Sequence, residues 1–465
     1  MNEMKKYNLD TLLSLLEAKR YPELMQYLDD LQPIDVAEFL SETAEGDLLL
    51  LFRMLKKDIA ASVFAELESE EQSRLIASMT DLEISSILDN LFMDDAVDML
   101  EEMPANVVKR IMQSVTPETR TEINRFLSYP EDSAGGIMTS EFIDLTKDMT
   151  CTQAVERIRK IGLDKETVYV AYVTDSARVL EGVVPLKKLL FASPEDRIEK
   201  IMDQNVIYGY THDDRESVAN MISHYDILAL PIVDRERRLV GLVTVDDALD
   251  VLECEATEDI ERMAAILPSD KSYMRTGIFE TWKKRIPWLL LLMISATFTG
   301  AIIMHYENAI GTYSILTAFF PMLMDTGGNA GGQTSVTVIR GLSLGEIQLR
   351  DTLRVLWKEA RVAFFCGLTI ACVTFLKVII IDFQLQTQTI LENGTVQNNL
   401  LIALVISVTL FFAILVAKLV GTLLPIGAKR IGLDPAVMAS PFITTIVDIV
   451  TLFIYFTIAS HLLGI

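Results

Sequence analysis

The chain is poor in the residues on which most catalytic and redox chemistry depends, with four histidines and four cysteines in 465 residues. No histidine stands with a cysteine, serine or carboxylate at a spacing that suggests a triad or a metalloenzyme centre, so an enzyme is not supported. Cys151, Cys254, Cys366 and Cys372 form no CxxC pair, and the last two lie on different faces of any helix. A disulfide framework and a zinc site are therefore both unsupported. A basic surplus is missing as well. Asp and Glu number 65 against 41 Lys and Arg, a net charge of −24, and nucleic acid is not an expected partner.

That charge is unevenly placed. Met1 to Arg275 carries 55 acidic and 29 basic residues, a net −26, whereas Thr276 to the end carries 10 and 12, a net +2. An acidic half made for water precedes an apolar half made for lipid. The apolar half reads as five spans, about Ile286–Met304, Tyr313–Ile339, Val362–Ile381, Leu400–Leu424 and Ala436–Leu463, each near the roughly 20 residues a helix needs to cross a bilayer. Lys283, Lys284 and Arg285 precede the first span, Arg340, Arg350, Arg354 and Lys358 separate the second from the third, and Lys429 and Arg430 separate the fourth from the fifth. The stretches 305–312 and 382–399 contain no Lys or Arg. The positive-inside rule then puts the N-terminal half in the cytoplasm and the C-terminus outside a cell membrane. The polar opening, Met1 to Asp30, lacks an export signal's apolar stretch, which points the same way.

Within the acidic half, Tyr7–Leu127 reads as a series of short helices with apolar residues at i, i+3 and i+4, punctuated by Pro33, Pro104 and Pro117 where helices should start. A repeat follows. "GVVPLKKLL" from Gly182 and "GLVTVDDAL" from Gly241 share a strand, a turn and a helix start. Upstream, "IMTSEFIDLT" from Ile137 corresponds to "IMDQNVIYGY" from Ile201. Two βαββα units stacked as a pair are expected, since neither buries its sheet alone.

Two features carry chemistry. Asp246, Asp247, Asp250, Glu253, Glu255, Glu258, Asp259 and Glu261 crowd the end of the second repeat, and Asp94, Asp95 and Asp98 crowd a helix of the first domain. Like charges three and four apart repel, and hard divalent cations such as magnesium are held by one or two carboxylates with waters retained. The second feature is polarity inside the spans. Asp325, Asn329 and Gln333 interrupt the second, and Asp448 interrupts the fifth, where no Lys or Arg offers itself as partner. Such residues persist mainly where they face a protein interior or a watery path. The five glycines of 327–341 fit either a pore wall or close helix packing.

"PMLMDTGGNAGGQTS", "YPEDSAGGIMT", "LVGLVTVDDALDVLECEATEDI" and "LDPAVMASPFITTIVDIV", together with five spans, resemble the MgtE family of magnesium channels over essentially the whole chain. The resemblance implies a multi-domain membrane protein: an all-α N-terminal superhelix (1–130), an α/β tandem CBS pair (131–254), a connecting plug helix (255–276) and a five-helix transmembrane domain (277–465). It implies a homodimer with one pore on its axis. Asp448 would meet the hydrated ion, Asp434 would lie near the cytoplasmic mouth, and Asp325, Asn329 and Gln333 would line the path. Asp226, Asp247, Asp250, Glu255, Glu258 and Asp259 match positions that bind regulatory Mg2+, as do Asp94, Asp95 and Asp98. Some members bind ATP in the CBS pair, where Thr244 and Asp247 keep the nucleotide pattern and Pro185 and Lys188 depart from it in the first repeat. A membrane-anchored, nucleotide-sensing scaffold is the competing reading.

Overall fold

The computed structural model describes residues 9–269, 273–274, 276–307, 311, 313–382, 399–438 and 440–463. It divides into two compact units, Met1–Leu252 and Glu253–Ile465.

The first unit opens with ten short helices, from α1 (Leu9–Glu17) to α10 (Pro117–Phe126). Pro33 and Pro117 are the first residues of α3 (Pro33–Ser41) and α10, and Pro104 is the N-cap of α9 (Ala105–Ser114). These positions suit proline because the first turn has no use for its missing N–H. Each helix is too short to be stable alone, so the series is held by a shared core that includes Leu24, Phe39, Leu51, Phe64, Val97 and Phe126. That core continues into Leu230, Ile232, Val243 and Ala248 of the second repeat.

The repeat is present as two three-stranded sheets of identical topology. β1 (Ile143–Leu145) runs parallel to β2 (Val170–Thr174), which pairs antiparallel with β3 (Leu180–Pro185); β4 (Gly209–Tyr210), β5 (Ala229–Val233) and β6 (Leu239–Thr244) do the same. Val173↔Gly182 and Ile232↔Gly241 are equivalent pairs, and the register shifts immediately after each. The helices α11 (Cys151–Ile161), α12 (Leu186–Phe191), α13 (Ile198–Ile201) and α14 (Arg215–Tyr225) connect these strands.

α15 (Val245–Met263) runs through the boundary between the units. The connecting helix expected over 255–276 is thus the end of a helix that starts ten residues earlier, and it stops at Met263. The cause is local: Ala265 takes a left-handed conformation (φ 57°), Ile266 N–H returns to the Glu261 carbonyl, and Pro268 follows, a usual way to close a helix.

The second unit contains α16 (Ile278–His305), α17 (Phe320–Ser343), α18 (Thr352–Lys377), α19 (Asn399–Arg430) and α20 (Ser440–Leu463). By length and apolar composition, four of these helices qualify as spans among the described residues; α17, 24 residues long, does not. Its glycines and polar side chains lower its hydropathy, yet it packs against both α19 and α20. The expected start at Tyr313 belongs instead to a 3-10 turn, Ser314–Phe319, and Pro321 then sits in the first helical turn. The stretch 383–398, expected as an outer loop, lies outside the described residues.

Candidate cation sites and nucleotide cleft

In the first unit, Asp94 and Asp95 stand in the first turn of α8 (Met93–Glu102), where a helix N-terminus favours acidic groups. Asp247 stands in the first turn of α15, its Oδ2 accepting from the Thr244 hydroxyl and from Thr244 N–H at 3.3 Å. The three carboxylates act on one another, and Glu166 joins them. Burial, then Asp247 and Asp95, hold Asp94 well above the usual carboxylate range. Burial and Asp247 push Asp95 up to about 6, and burial, Asp247 and Asp95 push Glu166 up to about 7. Asp247 is raised by burial and Asp246 against the lowering effect of Thr244. Glu166 Oε2 is buried without a hydrogen-bond partner. No Lys, Arg or His forms an ion pair with any of the four among the described residues. Nor do three carboxylates converge as direct ligands of one ion there, which leaves room for ions held through water.

Other expected positions fall elsewhere. Asp98 lies on the exposed side of α8, and Asp226 is the exposed C-cap of α14 with a left-handed backbone (φ 52°). Asp250 acts on Glu66, whose carboxyl is raised by burial and then by that charge. Glu66 and Glu166 were not anticipated. Glu166 lies in a loop, "LDKETV", where no periodicity marks it.

The second unit treats its carboxylates differently. Arg262, the residue after the acidic run, pairs with both Glu258 and Asp434. Asp434 Oδ1 accepts from Ala436 N–H at 2.8 Å. Asp259 accepts from the Ser343 hydroxyl at 3.3 Å, and burial followed by Asp434 raises its carboxyl. Met263 packs beside Ile339 and Ala436. The end of α15 is thereby tied to α17 and to the turn before α20.

Along α17, Asp325, Asn329 and Gln333 are four residues apart and all exposed, whereas Gly327, Gly328, Gly331 and Gly332 are buried. A Cβ at Gly328 would lie 2.8 Å from Thr444, and one at Gly331 would lie 2.8 Å from Ile443. These glycines therefore serve close approach to α20, and the polar stripe occupies the other side. Asp448 stands on α20 within range of the Asp325 charge. Asp448 Oδ1 and Thr451 Oγ1 are both buried with no hydrogen-bond partner. Lys418, buried inside α19, and Glu359, partly buried in α18, are a further pair of charges. Lys418 was legible in principle, being a lone charge in an apolar run.

A cleft of about 560 Å³ opens between the repeats, lined by Tyr169, Tyr172, Pro185, Phe191 and Leu228, with Lys187, Asp203 and Asn205 supplying polarity. Thr244 and Asp247 do not line it. They are bound to each other at the head of α15, and the cleft opens at Pro185.

Three family models match the chain: the MgtE intracellular N domain over residues 31–132, the CBS domain over 198–254, and MgtE, a divalent cation transporter, over 320–458. The chain is 34% identical to the magnesium transporter MgtE of Thermus thermophilus over 444 residues, 95% of each chain. It is 30% identical to the magnesium transporter MgtE of Bacillus subtilis over 97% of this chain and 96% of that one. A crystal structure of the cytosolic domain of the Mg2+ channel MgtE in complex with ATP matches 52% of this chain and 100% of its own, at 34% identity and a TM-score of 0.50.

Proposed function

Because the chain belongs to the MgtE family of multi-pass membrane proteins, whose members are ion transporters and not enzymes, we propose that it conducts hydrated Mg2+ through a homodimeric pore. The observation that carries this reading is the stripe of Asp325, Asn329 and Gln333, exposed along α17, which packs among long apolar helices. Lipid offers such a face no partners, so it belongs against water. A two-fold dimer with all five helices spanning would set two stripes and two Asp448 carboxylates about one axis, a small acidic ring of the kind that selects cations. Magnesium sheds its water reluctantly, and amides and carboxylates spaced for retained waters suit it. A plain membrane anchor has no use for this stripe.

Closure follows from the cytoplasmic charge. Divalent ions bridging Asp94, Asp95 and Asp247 would favour the compact state, because a ligand shifts an equilibrium only through its differential affinity for the two states. Asp98, Asp226, Asp250, Glu255, Glu258 and Asp259 add to the acidic surface that such ions approach. The N-terminal half would lie in the cytoplasm and the C-terminus outside. Uptake of Mg2+ into liposomes holding the purified protein tests transport, and absence of saturable flux would remove the reading. A cysteine at 383–398 should label with an impermeant reagent from outside cells, and one beside Lys429 should not.

ATP would occupy the cleft at Pro185, its base against Tyr169 and Phe191, its ribose near Asp203 and its phosphates near Lys187. Lys187→Ala should weaken ATP binding, read by titration calorimetry, by roughly tenfold, the scale of one charge-assisted hydrogen bond; unchanged affinity would move the site elsewhere.

A further inference from the structure

Lys418 is almost fully buried in α19, at 6% exposure, in a unit where a lone ammonium is costly. It donates to Thr334 Oγ1 of α17 at 3.0 Å. Thr334 in turn donates to Glu359 Oε2 of α18 at 3.2 Å, and the ammonium and carboxylate stand 3.9 Å apart. One hydroxyl thus bridges a buried ion pair, and the three side chains come from three helices. α17 is held at two further points close by. A Cβ at Gly421 would collide with the carbonyl oxygen of Gly331, and Ser335 Oγ donates to the Met438 carbonyl at 3.3 Å.

Apolar contacts, being non-directional, tolerate a small turn of a helix about its axis. A hydrogen-bonded chain ending in two opposite charges does not, and fixing register is the best-attested use of such buried polar groups. Thr334 immediately follows Gln333, so the rotation that satisfies Lys418 and Glu359 also decides where Gln333, Asn329 and Asp325 point. We propose that Lys418 is a positioning residue for ion conduction, acting through Thr334 and Glu359 to hold the polar stripe of α17 toward the ion path. This rests on the pore reading given above.

The test uses the full-length protein in liposomes. Rotation is read by the labelling rate of Gln333→Cys with a charged methanethiosulfonate, with Cys254, Cys366 and Cys372 replaced by Ser; Mg2+ uptake is read with Gln333 in place. Lys418→Met should slow both by roughly tenfold, the scale of one broken interhelical polar contact, and Lys418→Arg should recover most of each. Lys418→Met combined with Glu359→Gln removes both charges, and so remains folded if the single variant does not; it should still label and transport slowly. Wild-type labelling and uptake in Lys418→Met would overturn the proposal. So would lost uptake with unchanged labelling, or recovery of both by the double variant, since charge balance alone would then be the requirement. Failure of the pore reading shows separately, as undiminished uptake in Asp448→Ala with Gln333→Cys still labelled.

Discussion

In the first unit, Asp94, Asp95, Glu166 and Asp247 crowd together with no basic partner in ion-pair contact among the described residues. In the second, Glu258 and Asp434 share Arg262, and Glu359 has Lys418. Asp325 and Asp448 repeat, inside the second unit, the unneutralised condition of the first. The contrast separates two uses of a buried carboxylate. Where the chain supplies its own cation, the pair fixes geometry; where it does not, the carboxylates repel until a cation arrives from solution. Arg262 is the informative intermediate, because it occupies a pair at which the family resemblance expects magnesium. An ion binding there must compete with a guanidinium already in place.

The comparison breaks most visibly at Asp448. Asp448→Ala should abolish saturable Mg2+ uptake in liposomes while expression and particle size hold, since it removes a charge whose Oδ1 has no hydrogen-bond partner among the described residues. Uptake at the wild-type rate would place Asp448 among the merely structural carboxylates. Next comes the first unit. Replacing Asp95 and Asp247 together by Asn removes repulsion as well as ligands, so the domain should persist but no longer gain protection from limited proteolysis in millimolar Mg2+. A site filled to 100 times its dissociation constant stabilises by about 2.7 kcal/mol, and protection surviving in the double variant would refute bridging there.

Arg262→Ala probes the intermediate case. Without the guanidinium, Glu258 and Asp434 repel at micromolar Mg2+ and should loosen the end of α15, raising uptake by about fivefold, the upper scale of a partly exposed pair. Millimolar Mg2+ should still inhibit, now bridging the pair without a competitor. Unchanged uptake at low Mg2+ would show that the pair does not restrain the channel.

The smallest expected effect is on pH. Asp95 and Glu166 are raised to about 6 and about 7, chiefly by burial. Acids raised on folding contribute stability that is present below their ordinary range and lost as pH rises through the raised values. In chelator, proteolysis of the first unit should therefore be faster at pH 8 than at pH 5.5, and Mg2+ should narrow the difference by replacing the lost protons. Equal rates in chelator would mean that these carboxylates are solvated.

Much of this was legible because its signals are periodic or compositional. The helix starts at Pro33 and Pro117, the paired sheets and the apolar helices follow from local patterns. The acidic positions Asp94, Asp95 and Asp247 were legible as charge density, but Glu166 was not, since this loop residue of the first repeat acquires its neighbours only when that repeat packs beside the second and the helical domain. Arg262 was overlooked beside an acidic run because counting charge ignores which side chains meet. Thr244 and Asp247, which keep the nucleotide pattern, are joined to each other by folding, and the proposed ATP cleft opens at Pro185.

The sequence by itself determined two solvents, the order of the domains, the repeat and the presence of unpaired acids in a membrane, because hydropathy, charge and period are properties of the chain alone. Tertiary structure decided which glycines press against α20, which side of α17 stays open, and which carboxylates receive Arg262 or Lys418. Those outcomes depend on contacts between residues tens to more than a hundred positions apart, such as Thr334 with Lys418 and Arg262 with Asp434, and no local pattern carries that information.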